Sequence, residues 1–231
     1  MANAVHEAKR VLILPGWQNS GPEHWQSRWE RLHGFERVQQ ANWNLPLRGD
    51  WMMQLEQALL DDPRPVVLVA HSLGCQLVAS WAAHSKNTAA VTGALLVAPP
   101  DTAHPETPPQ LASWRVISRQ ALPFPSLMLY SSNDPFCAST RALAMARDWG
   151  SQAINLGAAG HINADTGLGD WPAGLELVQQ LQVNPKSQPG GAIQASQADR
   201  ADPAEQAGQA APAAHADPAS PAAGRPKSLK R

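Results

Sequence analysis

The stretch Val66-Val-Leu-Val-Ala-His-Ser-Leu-Gly-Cys75 gives one serine the surroundings that an enzyme nucleophile needs. An apolar run typical of a buried strand precedes Ser72 and a helical pattern follows it, so Ser72 falls at a tight turn. The arrangement is that of the G-x-S-x-G nucleophile elbow, with Ala70 at the first glycine position and Gly74 at the second. Small neighbours allow strand and helix to close around such a strained turn. The alternative is a serine that only caps the helix.

A serine hydroxyl is a weak nucleophile at neutral pH, so it needs a base, and the base needs an acidic residue to orient it. In folds with this elbow the chain order is Ser, then Asp or Glu, then His. Asp134 follows an apolar run and precedes Pro135, while His161 follows a weaker strand candidate and a Gly-Ala-Ala-Gly turn. We therefore predict Asp134 as the orienting acid and His161 as the base. Alternatively, Asp134 is a turn residue or helix cap, and His161 is a loop histidine with local bonds.

Two backbone N–H groups are candidates for binding the oxyanion that forms on an attacked carbonyl. The N–H of Leu73 lies directly after Ser72 at a helix N-terminus, where the helix dipole favours negative charge. The N–H of Trp17 lies in the loop after the first predicted strand, where Gly16 lets the backbone approach a substrate. The alternative is that Pro15-Gly16 is only a turn.

The elements that must position these groups alternate between short aliphatic runs and helical patterns. Strands are predicted at 11–14, 66–70, 94–98 and 127–131, with weaker candidates at 38–41 and 153–156. Helices are predicted at 21–32, 50–60, 73–83, 139–149 and 172–181, the first with Trp25, Trp29 and Leu32 at helical spacing. This alternation predicts an α/β fold built from βαβ units, with a mostly parallel central sheet of about six strands and helices on both faces.

The substrate pocket has three further candidates. Residues 99–125 contain seven prolines, which exclude a long helix, and they join two predicted central strands. Loops at the carboxyl ends of parallel strands bind ligands, so this segment is a candidate pocket wall and its Trp114 a candidate pocket residue. His24 and Trp25 follow the loop of Trp17 and either line the pocket or pack the start of a helix. The nine tryptophans indicate either a Trp-lined pocket or bulky core filling.

Composition limits the class of protein. The chain has 231 residues, 43% of them hydrophobic, and a net charge of −1, which argues against a wholly disordered chain and against a nucleic-acid binder. Two cysteines, an N-terminus without an apolar signal core and the lack of a long apolar run favour a cytoplasmic protein with no membrane partner. We predict a flexible N-terminus at 1–9, one domain at 10–184 and a disordered Ala/Pro/Gln-rich tail at 185–231.

No cofactor and no metal site are predicted. Asp165 and Asp170 lie near His161 but lack further ligands at a metal-binding spacing, and the chain has no glycine-rich phosphate loop. Cys75 and Cys137 each follow a predicted site residue by three positions. A redox role is one interpretation of this spacing, but we expect small buried packing residues.

Several stretches resemble the small α/β hydrolases grouped with retinoblastoma-binding protein nine and bacterial YdeN. They are Leu14-Pro-Gly-Trp17, Gly21-Pro-Glu-His-Trp-Gln26, Ala70-His-Ser-Leu-Gly-Cys75, Ser131-Ser-Asn-Asp-Pro-Phe-Cys137 and Gly160-His-Ile-Asn-Ala-Asp-Thr-Gly-Leu-Gly-Asp-Trp-Pro172, within residues 10–182. The resemblance implies the triad Ser72, Asp134 and His161, a minimal α/β-hydrolase fold without a large helical lid, and hydrolysis of small acyl esters or amides. Binding to a retinoblastoma pocket is not expected, because Leu73-Gly-Cys-Gln-Leu77 lacks the Glu of L-x-C-x-E and should be buried.

These observations predict a serine hydrolase that cleaves a small-molecule carboxylic ester, thioester or amide through an acyl-enzyme. An acyltransferase differs only in the acceptor that removes the acyl group. A protein-interaction module on a hydrolase scaffold is the alternative of another class, since a fold does not fix a function.

Overall fold

A computed structural model describes residues 9–183 of the chain. The predicted tail and nearly all of the predicted flexible N-terminus lie outside the described residues. The sheet contains β1 (Arg10–Leu14), β2 (Glu36–Arg37), β3 (Val66–His71), β4 (Val91–Val97), β5 (Ser126–Tyr130) and β6 (Gln152–Asn155). Its strand order is β2-β1-β3-β4-β5-β6, and every neighbouring pair is parallel. The prediction of a parallel sheet of six strands is confirmed.

Helices cover both faces of this sheet. They are α1 (Trp25–His33), α2 (Arg48–Asp61), α3 (Leu73–Ala82), α4 (Ser139–Trp149) and α5 (Pro172–Val183), with short 3₁₀ helices at Thr88–Ala90, Pro109–Trp114 and Ala164–Thr166. Helices α1 and α5 pack on one face, and α2, α3 and α4 pack on the other. Within residues 9–183, no helix has both the length and the apolar character needed to cross a membrane.

Strand β3 shows why the sequence before Ser72 is continuously apolar. All six of its residues are buried. Leu68 and Ala70 belong to the apolar cluster under α2, α3 and α4, whereas Val67 and Val69 belong to the cluster under α1 and α5. A strand between two helical layers needs apolar side chains on both faces, so its pattern does not alternate. Because the sheet is parallel, the loops after β1, β3, β5 and β6 all lie at one edge.

Two of the predicted elements are wrong in their details. The strand predicted at 38–41 is instead the two-residue edge strand β2, paired with Leu12 and Ile13 of β1. Helix α1 begins at Trp25 and not at residue 21, because the Nδ1 atom of His24 accepts the N–H of Gln26 and caps the helix there. Leu32 has 55% of its surface exposed, since α1 buries its other face.

The tryptophans mostly fill the core. Fully buried side chains are those of Trp25, Trp29, Trp51, Trp81, Trp114 and Trp149. Five of these indoles also donate their N–H to a backbone carbonyl in a loop, at 2.7–3.2 Å. Bulky core filling is therefore the correct interpretation for these six. Their polar ends satisfy carbonyl groups that the helices and strands leave unpaired.

Candidate active site

Ser72 occupies a strained turn between β3 and α3. Its backbone has φ 53° and ψ −125°, a conformation that is costly for a residue with a Cβ atom. The turn is held because the N–H of Ser72 donates to the carbonyl oxygen of Val97 at 2.9 Å. Although Ser72 is the residue before helix α3, its hydroxyl makes no capping bond to that helix. The helix-cap alternative is therefore wrong, and the hydroxyl is available for another partner.

Two glycines allow the chain to close around Ser72. A Cβ atom on Gly74 would lie 2.2 Å from the carbonyl oxygen of Leu14, so only glycine fits there between α3 and β1. A Cβ atom on Gly16 would lie 2.7 Å from the Cβ and 3.1 Å from the Oγ of Ser72. The loop after β1 thus passes directly against the Ser72 side chain.

The partner of the Ser72 hydroxyl is His161. The distance between Ser72 Oγ and His161 Nε2 is 2.9 Å. On the other side of the imidazole ring, Nδ1 lies 3.0 and 2.9 Å from the two carboxylate oxygens of Asp134. A carboxylate only accepts hydrogen bonds, so Nδ1 carries the proton and Nε2 is the free acceptor for the hydroxyl. The three side chains, predicted separately from three strand ends, lie in one chain of hydrogen bonds.

Burial keeps water away from the acidic end of this chain. The Asp134 side chain is only 3% exposed and that of His161 is 10% exposed. The backbone N–H of Phe136 also donates to Asp134 Oδ1, at 2.9 Å. An acidic group held in this way favours one imidazole tautomer and stabilises an imidazolium when the ring accepts a proton. The arrangement can therefore transfer a proton from a serine hydroxyl to a histidine.

The loop after β1, residues 15–20, passes against the Ser72 side chain at Gly16. Of the residues that the structure describes, none accepts a hydrogen bond from the N–H of Trp17 or of Leu73. The buried Gln26 fixes the start of this loop, because its Nε2 donates to the carbonyl oxygens of Leu14 and Val69 at 3.3 and 3.2 Å. The two predicted oxyanion donors thus remain without internal partners beside the serine.

Residues that sequence analysis did not single out hold the loop between β6 and α5, which we call the His161 loop (residues 156–171). The hydroxyl of Ser131 accepts the N–H of Ala159 at 2.9 Å, and Oδ1 of Asn133 accepts the N–H of Gly160 at 2.7 Å. Both side chains come from the strand end that also carries Asp134. The signal for these contacts was the run of small polar residues, Ser131-Ser-Asn133, directly before Asp134.

His71 is the second contributor that sequence analysis missed. Its Nε2 lies 3.0 Å from the backbone carbonyl oxygen of His161, so the elbow strand directly supports the base. Burial, followed by the nearby rings of His24 and His161, holds the pKa of His71 well below its usual range. A neutral His71 donates its Nε2 proton to that carbonyl. The signal was a buried histidine at the residue before the nucleophile.

His24 lies next to this group but is a helix cap. Its ring centroid is 4.6 Å from that of His71. Burial, followed by the charge of Arg37 and then by His161, lowers its pKa from 6.5 to about 4. Its Nε2 atom is buried without a hydrogen-bond partner among the described residues. His24 therefore stays neutral in the working pH range.

The predicted pocket residues need a correction. Trp25 and Trp114 are each only 1% exposed, and they lie in the apolar clusters on opposite faces of the sheet. Tryptophan has a large apolar surface, and burying that surface in the core stabilises the folded chain. A cavity of about 610 Å³ instead lies beside His161, and we call it the His161 cavity. Its lining is Pro135, Phe136, Ala158, Ala159, Gly160, His161, Asn163, Asp165 and Thr166.

The proline-rich segment 99–125 also differs from its predicted role. It contributes no lining residue to the His161 cavity. Val116, Ser118, Arg119 and Gln120 line a smaller cavity of about 210 Å³ instead. The segment packs on the face of the sheet that carries α2, α3 and α4. There the Trp114 indole N–H donates to the carbonyl oxygen of Pro46 at 2.7 Å.

The two cysteines near the site are buried, and one of the two acidic residues forms an ion pair. Burial raises the pKa of the Cys137 thiol to about 12 and that of Cys75 still further, so neither is a reactive thiolate. Asp170 forms an ion pair with Arg28 at 2.6 Å. Within residues 9–183, no group of three or more His, Cys, Asp or Glu side chains is arranged to hold a metal ion.

The stretch discussed for retinoblastoma binding is buried. Leu73, Cys75 and Leu77 lie in the core on α3, with Gly74 and Gln76 buried between them. A partner protein would have to unfold α3 to reach this stretch.

Comparison with known proteins adds the family. The model of the serine hydrolase family matches residues 11–180. A YdeN-like hydrolase from Pectobacterium atrosepticum is 31% identical, with 75% of this chain and 90% of that chain covered and a TM-score of 0.66. The YdeN gene product of B. subtilis is 19% identical over 75% and 98% of the two chains, with a TM-score of 0.59. An esterase from Rhodococcus, 13% identical over 77% and 92%, shares the fold with a TM-score of 0.55. No curated protein matches the chain.

Proposed function

The chain belongs to the serine hydrolase family, and on this premise we propose that it hydrolyses small carboxylic esters, thioesters or amides through an acyl-enzyme on Ser72. One observation carries the proposal. Ser72 Oγ, the two ring nitrogens of His161 and the Asp134 carboxylate form a continuous chain of hydrogen bonds. The Ser72 hydroxyl makes no bond that caps helix α3, so this chain of hydrogen bonds is not explained by helix capping.

Acylation begins when Ser72 Oγ attacks the substrate carbonyl carbon and its proton passes to His161 Nε2. The negative charge that develops on the carbonyl oxygen is bound by the N–H groups of Trp17 and Leu73. Asp134 stabilises the imidazolium that has formed. His161 then gives its proton to the leaving group as the bond between carbonyl carbon and leaving group breaks.

Deacylation repeats these steps with water. His161 takes a proton from a water molecule, whose oxygen attacks the acyl carbon, and the ester bond to Ser72 breaks as Oγ regains its proton. Ser72 supplies the nucleophile and His161 the base in both acylation and deacylation, so we propose that no metal or organic cofactor takes part. The reducing, cytoplasmic location expected from the two cysteines also stays a prediction.

A panel of p-nitrophenyl esters with graded acyl lengths tests the function. We expect the wild-type protein to hydrolyse at least the shortest esters, and Ser72→Ala to lose about 10⁴ to 10⁶ in kcat while keeping the wild-type circular dichroism spectrum. Ser132→Ala is the matched control, because Ser132 is exposed and only two positions from Asp134. Near wild-type turnover in a folded Ser72→Ala protein would overturn the proposal.

A further inference from the structure

The lining of the His161 cavity includes a negative charge that the binding of a neutral substrate does not require. Within its lining, Asp165 is the one carboxylate, and neither a lysine nor an arginine is present. Two arginines outside this lining have carboxylate partners of their own, since Arg28 pairs with Asp170 and Arg141 pairs with Asp101. Asp165 itself has no ion-pair partner among residues 9–183. The cavity therefore presents an uncompensated negative charge.

The Asp165 carboxylate is held in place at the cavity. Asn163 caps the short helix Ala164–Thr166, with its Oδ1 accepting the N–H of Asp165 at 3.1 Å. The Nδ2 of the same asparagine lies 3.3 Å from Asp165 Oδ2. Asp165 is an exposed residue, and these contacts restrain its backbone and one carboxylate oxygen. A charge fixed beside a cavity favours an opposite charge within it without paying a large ordering cost.

An exposed aromatic ring lines the same cavity. Phe136 has 59% of its surface exposed, although it lies directly after the buried end of the Asp134 turn. Its ring meets the His161 ring edge to face, with centroids 4.6 Å apart. An aromatic ring and a carboxylate on one cavity wall are the two groups that bind an ammonium ion, the ring through its π face and the carboxylate through its charge.

The position of the cavity indicates which half of the substrate it receives. In acyl transfer, the leaving group departs from the side on which the base stands, because His161 must protonate it. His161 is itself part of the cavity wall. A group in this cavity is therefore the leaving group and not the acyl chain.

We propose that the substrate's leaving group is a cation, an alcohol, thiol or amine that carries an ammonium group bound between Asp165 and Phe136. This rests on the proposed function. Chemically, the carbonyl carbon passes from the leaving-group oxygen or sulfur to Ser72 Oγ and then to water. The departing oxygen or sulfur, or the departing nitrogen of an amide, takes the proton that His161 received from Ser72, and the ammonium group keeps its charge throughout.

Two thioesters of nearly equal shape provide the test: acetylthiocholine, which is cationic, and 3,3-dimethylbutyl thioacetate, which is neutral. Thiol release is followed with a disulfide reagent. We expect the full-length wild-type protein to show a kcat/KM about tenfold higher for the cationic thioester. This ratio should fall as salt is raised from 10 to 500 mM.

Variants assign the preference to the cavity. Asp165→Asn and Phe136→Leu should each reduce the ratio of the two kcat/KM values toward one, a readout that an equal loss of activity toward both thioesters would leave unchanged. Asp170→Asn is the matched control, because it removes an equal charge from the same loop outside the cavity, and it should keep the wild-type ratio.

The outcomes separate the two proposals. Equal kcat/KM values for both thioesters in the wild type, or a cation preference that survives Asp165→Asn, would overturn the cationic leaving group and leave the serine hydrolase mechanism standing. Hydrolysis of neither thioester, nor of any p-nitrophenyl ester, would overturn the proposed function and this inference with it.

Discussion

The indole N–H of Trp25 donates a hydrogen bond to the carbonyl oxygen of Ile162 at 2.9 Å, which ties helix α1 to the residue after His161. Ile162 has a φ of 50°, so the backbone next to the base is held in a conformation that it would not adopt freely. Together with the contact from His71 to the His161 carbonyl, this bond places the imidazole by fixing its main chain from two sides. The core thus positions the base.

Trp25→Phe should separate this positioning from packing. Phenylalanine keeps an aromatic ring in the core but leaves the Ile162 carbonyl without its donor, at a cost of about 1–3 kcal/mol. We expect kcat for a p-nitrophenyl ester to fall about tenfold with KM changed little, because the base is misplaced while the binding surface is retained. Steady-state kinetics and thermal unfolding measure both effects.

Trp149→Phe is the control for that variant. It loses an equivalent indole bond, to the carbonyl of Ser118 at 2.8 Å, on the opposite face of the sheet. Its unfolding temperature should drop by a similar amount with kcat unchanged. Equal losses of kcat in the two variants would mean that the Trp25 bond acts only through stability.

Gly16→Ala should impair the reaction more than the fold. The new Cβ would lie 2.7 Å from the Cβ of Ser72, so the loop after β1 must move and take the Trp17 N–H with it. Loss of one oxyanion donor costs about 10² to 10³ in kcat. Gly21→Ala, in open space, should behave as wild type. An unchanged kcat in Gly16→Ala would show that this loop does not hold the oxyanion.

Asp134→Asn should keep the fold and the serine but present the wrong ring nitrogen to Ser72. The amide N–H₂ group can donate to Nδ1, which would leave the proton on Nε2 and block acceptance from the hydroxyl. In a serine protease the analogous change costs about 10⁴ in kcat. We expect about 10² to 10⁴ here for activated esters, whose leaving groups need little protonation. His161→Ala should be at least as damaging, and a smaller loss in either variant would contradict the assigned roles.

The depressed pKa of His24 makes stability depend on pH. Because its pKa is about 4 in the folded protein and 6.5 without burial, the unfolded chain binds a proton between these values and the folded protein does not. The free energy of unfolding should therefore fall as the pH is lowered from 6.5 to 4, by up to about 3 kcal/mol from this residue. Below pH 4 the folded and the unfolded protein both bind this proton, so His24 no longer makes the free energy of unfolding depend on pH.

His24→Asn tests that origin, since asparagine also caps helices but does not titrate. Urea unfolding at pH 7, 5 and 4 should show a weaker loss of stability at low pH in the variant than in the wild type. The acid-side loss of kcat/KM should be the same in both, because the proposed mechanism assigns the base to His161 and not to His24. An identical pH dependence of stability in the two proteins would refute the buried-histidine explanation.

Sequence was most informative where one physical requirement fixes one residue type. The elbow at Ser72 and the apolar run before it follow from a buried strand and a turn that needs glycine at position 74. The family resemblance, given by stretches such as the one around His161, is confirmed by the family model. The neighbouring positions of Asp134 and His161 followed from chain order, because the ends of parallel strands meet at one edge of the sheet.

Sequence failed where burial was decided by the whole fold. Trp114 was predicted to line the pocket because it lies in the proline-rich segment, and Trp25 because it follows the Trp17 loop. Both are buried in the core instead, since the packing of the helices and not the residue type determines which aromatic rings are enclosed. The hydrogen bonds of Ser131 and Asn133 to the His161 loop join residues that are 26–28 positions apart in the sequence. No local pattern encodes such a pairing, and the edge strand β2 was misplaced for the same reason.

Covalent labelling of Ser72 tests the central claim most directly. The full-length protein is treated with a fluorophosphonate, digested, and its peptides are mapped by mass spectrometry. We predict one adduct, on Ser72, that is absent from Ser72→Ala, much slower to form in His161→Ala and unchanged in Ser132→Ala. An adduct on a different serine, or labelling of Ser72→Ala at the wild-type rate, would contradict the assignment of Ser72 as the nucleophile.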